Sequence, residues 1–187
     1  ALKRLVQTDF LTQVYNRSAI VHRIEEELSR TARTKAPLAV YLLDIDHFKQ
    51  VNDNFGHAAG DQVLIEVARR LKEQCRNYDV TGRYGGEEFV VIAPGPKRNE
   101  MEIIGERIRE SVSSATVHAE GSNLNVTVSV GGIWIGPGAS PSVDLVLKGA
   151  DDLLYVAKRT GRNRVVVAGW NDPSNYVAET AHADPGI

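Results

Sequence analysis

The succession of elements in this chain predicts an α/β fold, an α+β sandwich whose antiparallel central sheet of about five strands is flanked by helices. The first observation behind it is the order strand, helix, strand, strand, helix, strand, the split βαβ arrangement of ferredoxin-like and palm-type domains. The second is a further helix and strand that extend the unit. The third is Gly85-Gly86, set between two strand-like runs, which marks a hairpin within the sheet.

Asn16 can cap a helix that runs through Ile20, Ile24 and Leu28 to about Arg33, ended by Lys35-Ala36-Pro37. Leu38 to Ile45 reads as a strand, with Val40, Leu42 and Asp44 on one face and Tyr41, Leu43 and Ile45 on the other. From Gly60 to Cys75 the apolar stripe Val63, Val67, Leu71 predicts a helix. Val80 to Tyr84 and Phe89 to Ala93 form the hairpin. A helix over 97 to 114 (Met101, Ile104, Ile108, Val112), a strand over 124 to 135, a helix over 141 to 159 and a strand over 164 to 168 complete the order.

At 187 residues the chain fits one domain. Twenty-two basic residues against 24 acidic ones exclude a nucleic-acid-binding field or a polybasic membrane surface, so any phosphate recognition is local. The single cysteine, Cys75, excludes an intrachain disulfide and a Cys-rich zinc site and agrees with a reducing compartment, which makes cytoplasm the expected location. No apolar run reaches the ~20 residues that span a bilayer, so no membrane contact is expected here. A membrane anchor upstream in a longer protein stays open. Residues 1–7, with leucines and a valine at helical spacing, read as the end of a truncated helical linker from an upstream module. Residues 8–168 read as one folded domain and 169–187 as a loosely ordered tail.

Charge sits where a core would want none. Adjacent glycines allow positive φ and close approach of another molecule, and they are followed directly by Glu87 and Glu88. In the predicted topology the strand after the turn lies antiparallel beside Leu38 to Ile45. Asp44, an acid closing an apolar strand face, therefore meets Glu87 at one sheet end. Oxygen ligands from two strands can hold Mg²⁺ there, and such ions stabilise attacking and leaving oxygens in phosphoryl or nucleotidyl transfer. The plainer alternatives are an Asp44 that caps a strand and a solvated turn.

Tyr84-Gly85-Gly86-Glu87-Glu88-Phe89 resembles the signature turn of the GGDEF family of bacterial diguanylate cyclases, in its Gly-Gly-Glu-Glu-Phe form. Further segments agree in order: Asp9-Phe10-Leu11-Thr12 with Asn16-Arg17, Asp44 to Lys49, Asn52-Asp53, Phe55-Gly56-His57, Gly60-Asp61, and Lys158 with Gly161-Arg162-Asn163. The resemblance covers about Thr8 to Val167. It implies an enzyme that condenses two GTP molecules, one per subunit of a head-to-tail homodimer, into cyclic di-GMP with release of pyrophosphate, on the fold of nucleotidyl cyclase catalytic domains.

It also implies residue roles. The Asp44 carboxylate, the Ile45 carbonyl and Glu87 hold Mg²⁺, or Mn²⁺ in its place, with Glu88 assisting metal or proton. Asn52 and Asp61 read the guanine edge, Asp61 accepting from the N1 and N2 hydrogens. His57 lies near the nucleotide. Lys49 neutralises charge developing in transfer, backbone amides of Phe48 and Lys49 bind the terminal phosphates, Gly86 leaves the nucleotide room, and Lys158 and Arg162 contact the triphosphate. The plainer readings are a helix N-cap for Asp61, a packed or turn histidine for His57, and macrodipole compensation for the basic helix end.

Arg76-Asn77-Tyr78-Asp79 matches the family's Arg-x-x-Asp inhibitory product site, which Arg107 completes; Arg stacks on and forks to guanine while Asp takes its N1 and N2 hydrogens. A surface salt bridge and a solvated helix face are the alternatives. Against an active cyclase stands a catalytically inactive cyclic di-GMP receptor module. The intact Glu87, Glu88, Asp44, Asn52 and Asp61 favour the enzyme.

Overall fold

The computed structural model describes residues 7–171. In chain order the elements are α1 (Arg17–Thr34), β1 (Leu38–Ile45), α2 (Phe48–Phe55), α3 (His57–Gln74), β2 (Val80–Arg83), β3 (Glu88–Pro94), α4 (Met101–Ser113), β4 (Val117–Ala119), β5 (Ser122–Leu124), β6 (Val128–Ile135), α5 (Val143–Arg159) and β7 (Val165–Gly169). A 3₁₀ turn at Arg98–Glu100 leads into α4. The sheet has five strands in the order β2-β3-β1-β6-β7, as expected in number. It is mixed rather than wholly antiparallel, because β7 runs parallel to β6 after the α5 crossover.

Each face of the sheet carries its own core. One face packs Tyr41, Leu43 and Ile45 with Val63, Val67, Leu71, Ile104 and Ile108, so α3 and α4 cover it. The other packs Val40 and Leu42 with Ile20, Ile24, Leu147 and Leu154 beneath α1 and α5. β1 is buried along its whole length, since it has a helical layer on each side. Every fully buried isoleucine or leucine in these layers contributes roughly 2 kcal/mol of transfer free energy. Asp44 closes the α1/α5 face at the strand end, on the side the alternation predicts.

Asn16 caps α1 by accepting the Ala19 N–H at 3.0 Å, and Lys35 ends it in left-handed geometry. Gly131 lets α5 lie close to the sheet: a Cβ there would sit 2.2 Å from the Ala150 carbonyl oxygen.

Several expectations need correction. The stretch from 46 to 59, to which periodicity assigns no element, holds α2 and the first turn of α3. α2 escapes notice because it is eight residues long and only Phe48 of it is buried, too little for an apolar period. α3 starts at His57, three residues before Gly60. The expected strand 124 to 135 is split: Ser122–Leu124 folds back on Val117–Ala119 as a separate hairpin, and β6 begins at Val128. The expected linker helix lies, apart from Gln7, outside the described residues, as does the expected tail from residue 172 onward. Among the described residues no helix is long and apolar enough to cross a membrane.

Candidate active site

β3 pairs antiparallel with β1 so that Asp44 stands opposite Glu88, and the Ile45 N–H donates to the Glu87 carbonyl at 3.3 Å. This register brings Asp44, Ile45, Glu87 and Glu88, more than forty positions apart in sequence, to one sheet end. Burial and the neighbouring Asp44 charge push the carboxyls of Glu87 and Glu88 above their ordinary range. Asp44 is raised by burial as well, although Lys158 opposes this. Lys158 Nζ, at the last turn of α5, lies 2.7 Å from Asp44 Oδ2. Three carboxylates thus share one lysine, a balance that favours a further cation.

Among the described residues no group of three or more His, Cys, Asp or Glu side chains is arranged as a metal cage. The donor set on hand is two carboxylates and one backbone carbonyl, hard oxygens of the kind Mg²⁺ accepts while keeping waters and substrate oxygens in its remaining positions. The residues fit that ion.

The turn carrying the glutamates is held from several sides. The N–H groups of Tyr84 and Gly85 donate to the Glu88 carbonyl, and the Arg83 guanidinium donates to the Gly86 carbonyl at 2.7 Å. Arg83 also reaches the Asp9 carboxylate at 3.2 Å. Burial works upward on the Asp9 carboxyl, but hydrogen bonds from Thr12 and Arg83 outweigh it and hold it below its usual value. Neither Gly85 nor Gly86 has positive φ, so that expectation is corrected. What Gly85 supplies is space for Glu88, whose Oε2 would lie 2.2 Å from a Cβ at 85; a Cβ at Gly86 would meet nothing within 4 Å. Gly86 faces open room.

On the other side of β1, His47 adopts left-handed geometry (φ 58°) and starts α2. The first intrahelical bonds run from Gln50 and Val51 to the His47 carbonyl, so the amides of Phe48 and Lys49 head the helix with no earlier turn to bond. Phe48 is buried and Lys49 exposed. Gly60 makes room for Asn52: a Cβ there would sit 2.0 Å from Asn52 Oδ1. Asn52 therefore lies against α3 beside Asp61. Because α3 begins at His57, Asp61 is inside the helix and is not its N-cap, and its side chain is exposed. His57 is exposed too, not packed.

Lys158 and Arg162 do not share a helical face, since α5 ends at Arg159 and Arg162 follows Gly161 with φ 60°. Lys158 touches a member of the carboxylate group itself. Asp46, missed as a site residue, is 7% exposed and accepts from Thr127 Oγ1 and Ser129 Oγ, both at 2.7 Å, and from the Asn163 N–H at 3.0 Å. Arg83 and Asp9 were missed as well. The available signals were an arginine one residue before the turn and an Asp-x-x-Thr pattern able to close on itself.

A second cluster lies at the opposite end of the β2–β3 hairpin. Arg76, Asp79 and Arg107 line one small pocket with Ala93, Pro94, Pro96 and Ile104. Asp79 accepts the backbone N–H of Arg76 at 2.8 Å, while the Arg76 guanidinium donates to the Tyr78 hydroxyl at 3.1 Å. Among the described residues the buried Nε–H of Arg107 has no hydrogen-bond partner. Burial raises the Asp79 carboxyl despite these cations.

The family description "Diguanylate cyclase, GGDEF domain" matches residues 6–164. The chain is 42% identical over 161 residues to diguanylate cyclase DgcP of Pseudomonas aeruginosa, covering 86% of this chain and 24% of that protein. It is 43% identical over 165 residues to response regulator PleD of Caulobacter vibrioides, covering 87% and 36%. Both relatives are thus far longer than this chain. Among solved structures, the GGDEF domain of DgcB from Caulobacter crescentus in complex with c-di-GMP superposes with a TM-score of 0.81 at 35% identity, covering 89% of this chain and 98% of that one.

Proposed function

The chain belongs to the GGDEF family of diguanylate cyclase domains, and on that premise we propose that it condenses two GTP molecules into cyclic di-GMP. In each of the two transfers a ribose 3′-oxygen forms a bond to the α-phosphorus of the other GTP, the α–β phosphoanhydride bond breaks, and pyrophosphate leaves. The observation that carries the proposal is the pairing of Asp44 with Glu88 at the sheet end, which gathers Asp44, the Ile45 carbonyl, Glu87 and Glu88 around one lysine.

In this reading Asp44, the Ile45 carbonyl and Glu87 hold Mg²⁺ or Mn²⁺. Such an ion, when bound, lowers the pKa of the attacking hydroxyl and screens phosphate charge. Glu87 or Glu88 takes the hydroxyl proton, a task suited to carboxyls lifted above their ordinary range. The amides of Phe48 and Lys49 and the Lys49 ammonium take the terminal phosphates. Lys158 and Arg162 add charge to the triphosphate, Gly86 leaves it room, Asn52 and Asp61 select guanine, and His57 lies alongside.

Each subunit supplies half of the reaction, so a homodimer is required. The cluster of Arg76, Asp79 and Arg107 binds the product as a brake. Its excess of cations over acids suits a phosphodiester and its two arginines suit guanine faces. A cytoplasmic setting and an upstream regulatory module complete the proposal.

The test is incubation with GTP and MgCl₂ followed by chromatography. Cyclic di-GMP is expected, with a rate that rises faster than linearly with protein concentration. Absence of any cyclic dinucleotide from a dimeric preparation overturns the proposal.

A further inference from the structure

We propose that Asp46 is a positioning residue that sets the backbone of Arg162 and thereby builds the phosphate end of the site. The inference rests on the reading that Arg162 contacts the triphosphate.

Gly161, Arg162 and Asn163 occupy positive φ in succession, at 130°, 60° and 45°. Two of the three are not glycine, and a run of this kind persists only where its surroundings over-determine it. Three bonds do so. The Arg162 N–H donates to the Ala157 carbonyl at 3.0 Å, which closes the end of α5. The Arg109 guanidinium donates to Asn163 Oδ1 at 2.8 Å. The Asn163 N–H donates to Asp46 Oδ2 at 3.0 Å. The last ties the loop to the end of β1, while, one residue on, the Arg164 carbonyl accepts the Val130 N–H of β6 at 2.9 Å.

Asp46 is itself held by several bonds. Its carboxylate takes the hydroxyls of Thr127 and Ser129, its own N–H donates to the Thr127 carbonyl at 2.9 Å, and it is almost fully buried. It directly follows Ile45, whose carbonyl belongs to the proposed metal set. A single side chain therefore joins the end of β1, the start of β6 and the loop after α5. The position of Arg162 relative to Asp44 and Ile45 is set through it.

The chemistry required of residue 46 is an acceptor in the right place more than a charge. An asparagine there can turn its oxygen toward Thr127 and Asn163 and its NH₂ toward Ser129, whose hydroxyl can rotate to accept. Alanine can do neither. The two substitutions therefore separate geometry from charge.

The experiment measures binding of two probes to this chain in MgCl₂: a GTP analogue with a methylene bridge between the α- and β-phosphorus, and GMP, which lacks the β- and γ-phosphates. Arg162→Ala is expected to weaken the analogue about tenfold, the size of one charge-assisted phosphate contact, and to leave GMP unchanged. Asp46→Ala is expected to weaken the analogue by a similar factor with GMP unchanged, to add nothing on top of Arg162→Ala, and to be rescued by Asp46→Asn.

If Arg162→Ala leaves analogue binding untouched, the reading of Arg162 fails and takes the inference with it. If Arg162→Ala acts but Asp46→Ala does not, or if Asp46→Ala weakens both probes alike or adds to Arg162→Ala, the inference alone is overturned. Should Asp46→Ala not fold, hydrogen exchange of the Asn163 amide in the unaltered chain decides: slow exchange supports the bond, and exchange at the rate of an exposed amide overturns it.

Discussion

The two ends of the β2–β3 hairpin carry opposite charge balances built from similar parts. At the tip, Glu87 and Glu88 join Asp44 across the sheet, and Lys158 is the cation in contact with the group. At the base, Asp79 and the two arginines 76 and 107 line a single pocket. Burial raises the carboxyls at both ends, so desolvation does not distinguish them. The surplus does: acids outnumber cations at the tip, which suits a metal ion, and cations outnumber acids at the base, which suits a phosphodiester. β3 runs from Glu88 at the tip to Pro94 at the base, so the ends are separated by about 20 Å at the usual rise per residue. One short, stiff ribbon can thus present a cation site and an anion site without either field cancelling the other.

The comparison can be broken most decisively at the tip. Glu87→Ala is expected to lower cyclic di-GMP formation by at least 10²–10³, the scale of a lost electrostatic contact at a reacting centre. Chromatography of GTP reactions checks it, and a loss under tenfold would remove Glu87 from the site. The same change should leave product binding at the base intact, as read by calorimetry with cyclic di-GMP.

At the base, Arg76→Ala should raise the product concentration for half-inhibition about tenfold while synthesis continues. Initial rates with added cyclic di-GMP measure this. An unchanged inhibition curve would make the pocket a structural feature only.

Between these in location but smaller in effect, Gly86→Ala should keep the melting temperature, because its Cβ meets nothing within 4 Å in the protein alone. It should raise KM for GTP several-fold if the nucleotide occupies that room. A KM equal to that of the unaltered chain would place the nucleotide elsewhere.

The smallest expected effect concerns stability and pH. The folded-state pKa of Glu88 is raised, so the stability associated with its protonated form is fully present below the unfolded value near 4.5 and is lost as pH rises through the folded value. Glu88→Gln is therefore expected to raise the melting temperature by a few degrees at pH 7 without metal, with the gain vanishing near pH 4. Added MgCl₂ should raise the melting temperature of the unaltered chain by binding the native state. A Glu88→Gln variant less stable at pH 7 than at pH 4, relative to the unaltered chain, would show that repulsion at the tip is not what the geometry suggests.

Much of the scaffold is legible in the sequence. Asn16, the stripe Ile20, Ile24, Leu28 and the alternation through Leu38–Ile45 state α1 and β1 almost to the residue. The hairpin and its two glutamates are equally plain. Elements that lack a period are not. α2 buries one side chain, and the break at residues 125–127 between β5 and β6 falls within an alternation, Leu124, Val126, Val128, Val130, that runs unbroken across it. The glycines illustrate the same limit: their presence at 85 and 86 announces a turn, but positive φ is absent, and the reason for Gly85 is the side chain of Glu88.

Periodicity and short motifs, which are local properties of a chain, carry the order of the main elements apart from α2 and the β4–β5 hairpin, the family to which they belong, and the glutamates and arginines of the hairpin itself. Only the tertiary structure decided who touches whom: Lys158 on Asp44, Arg83 between Asp9 and Gly86, Asn52 in the space left by Gly60, and Asp46 holding Asn163. These contacts join residues from three to 117 positions apart. Their partners depend on strand register and on how closely a helix approaches the sheet, and those are settled by packing the whole core at once rather than by any segment.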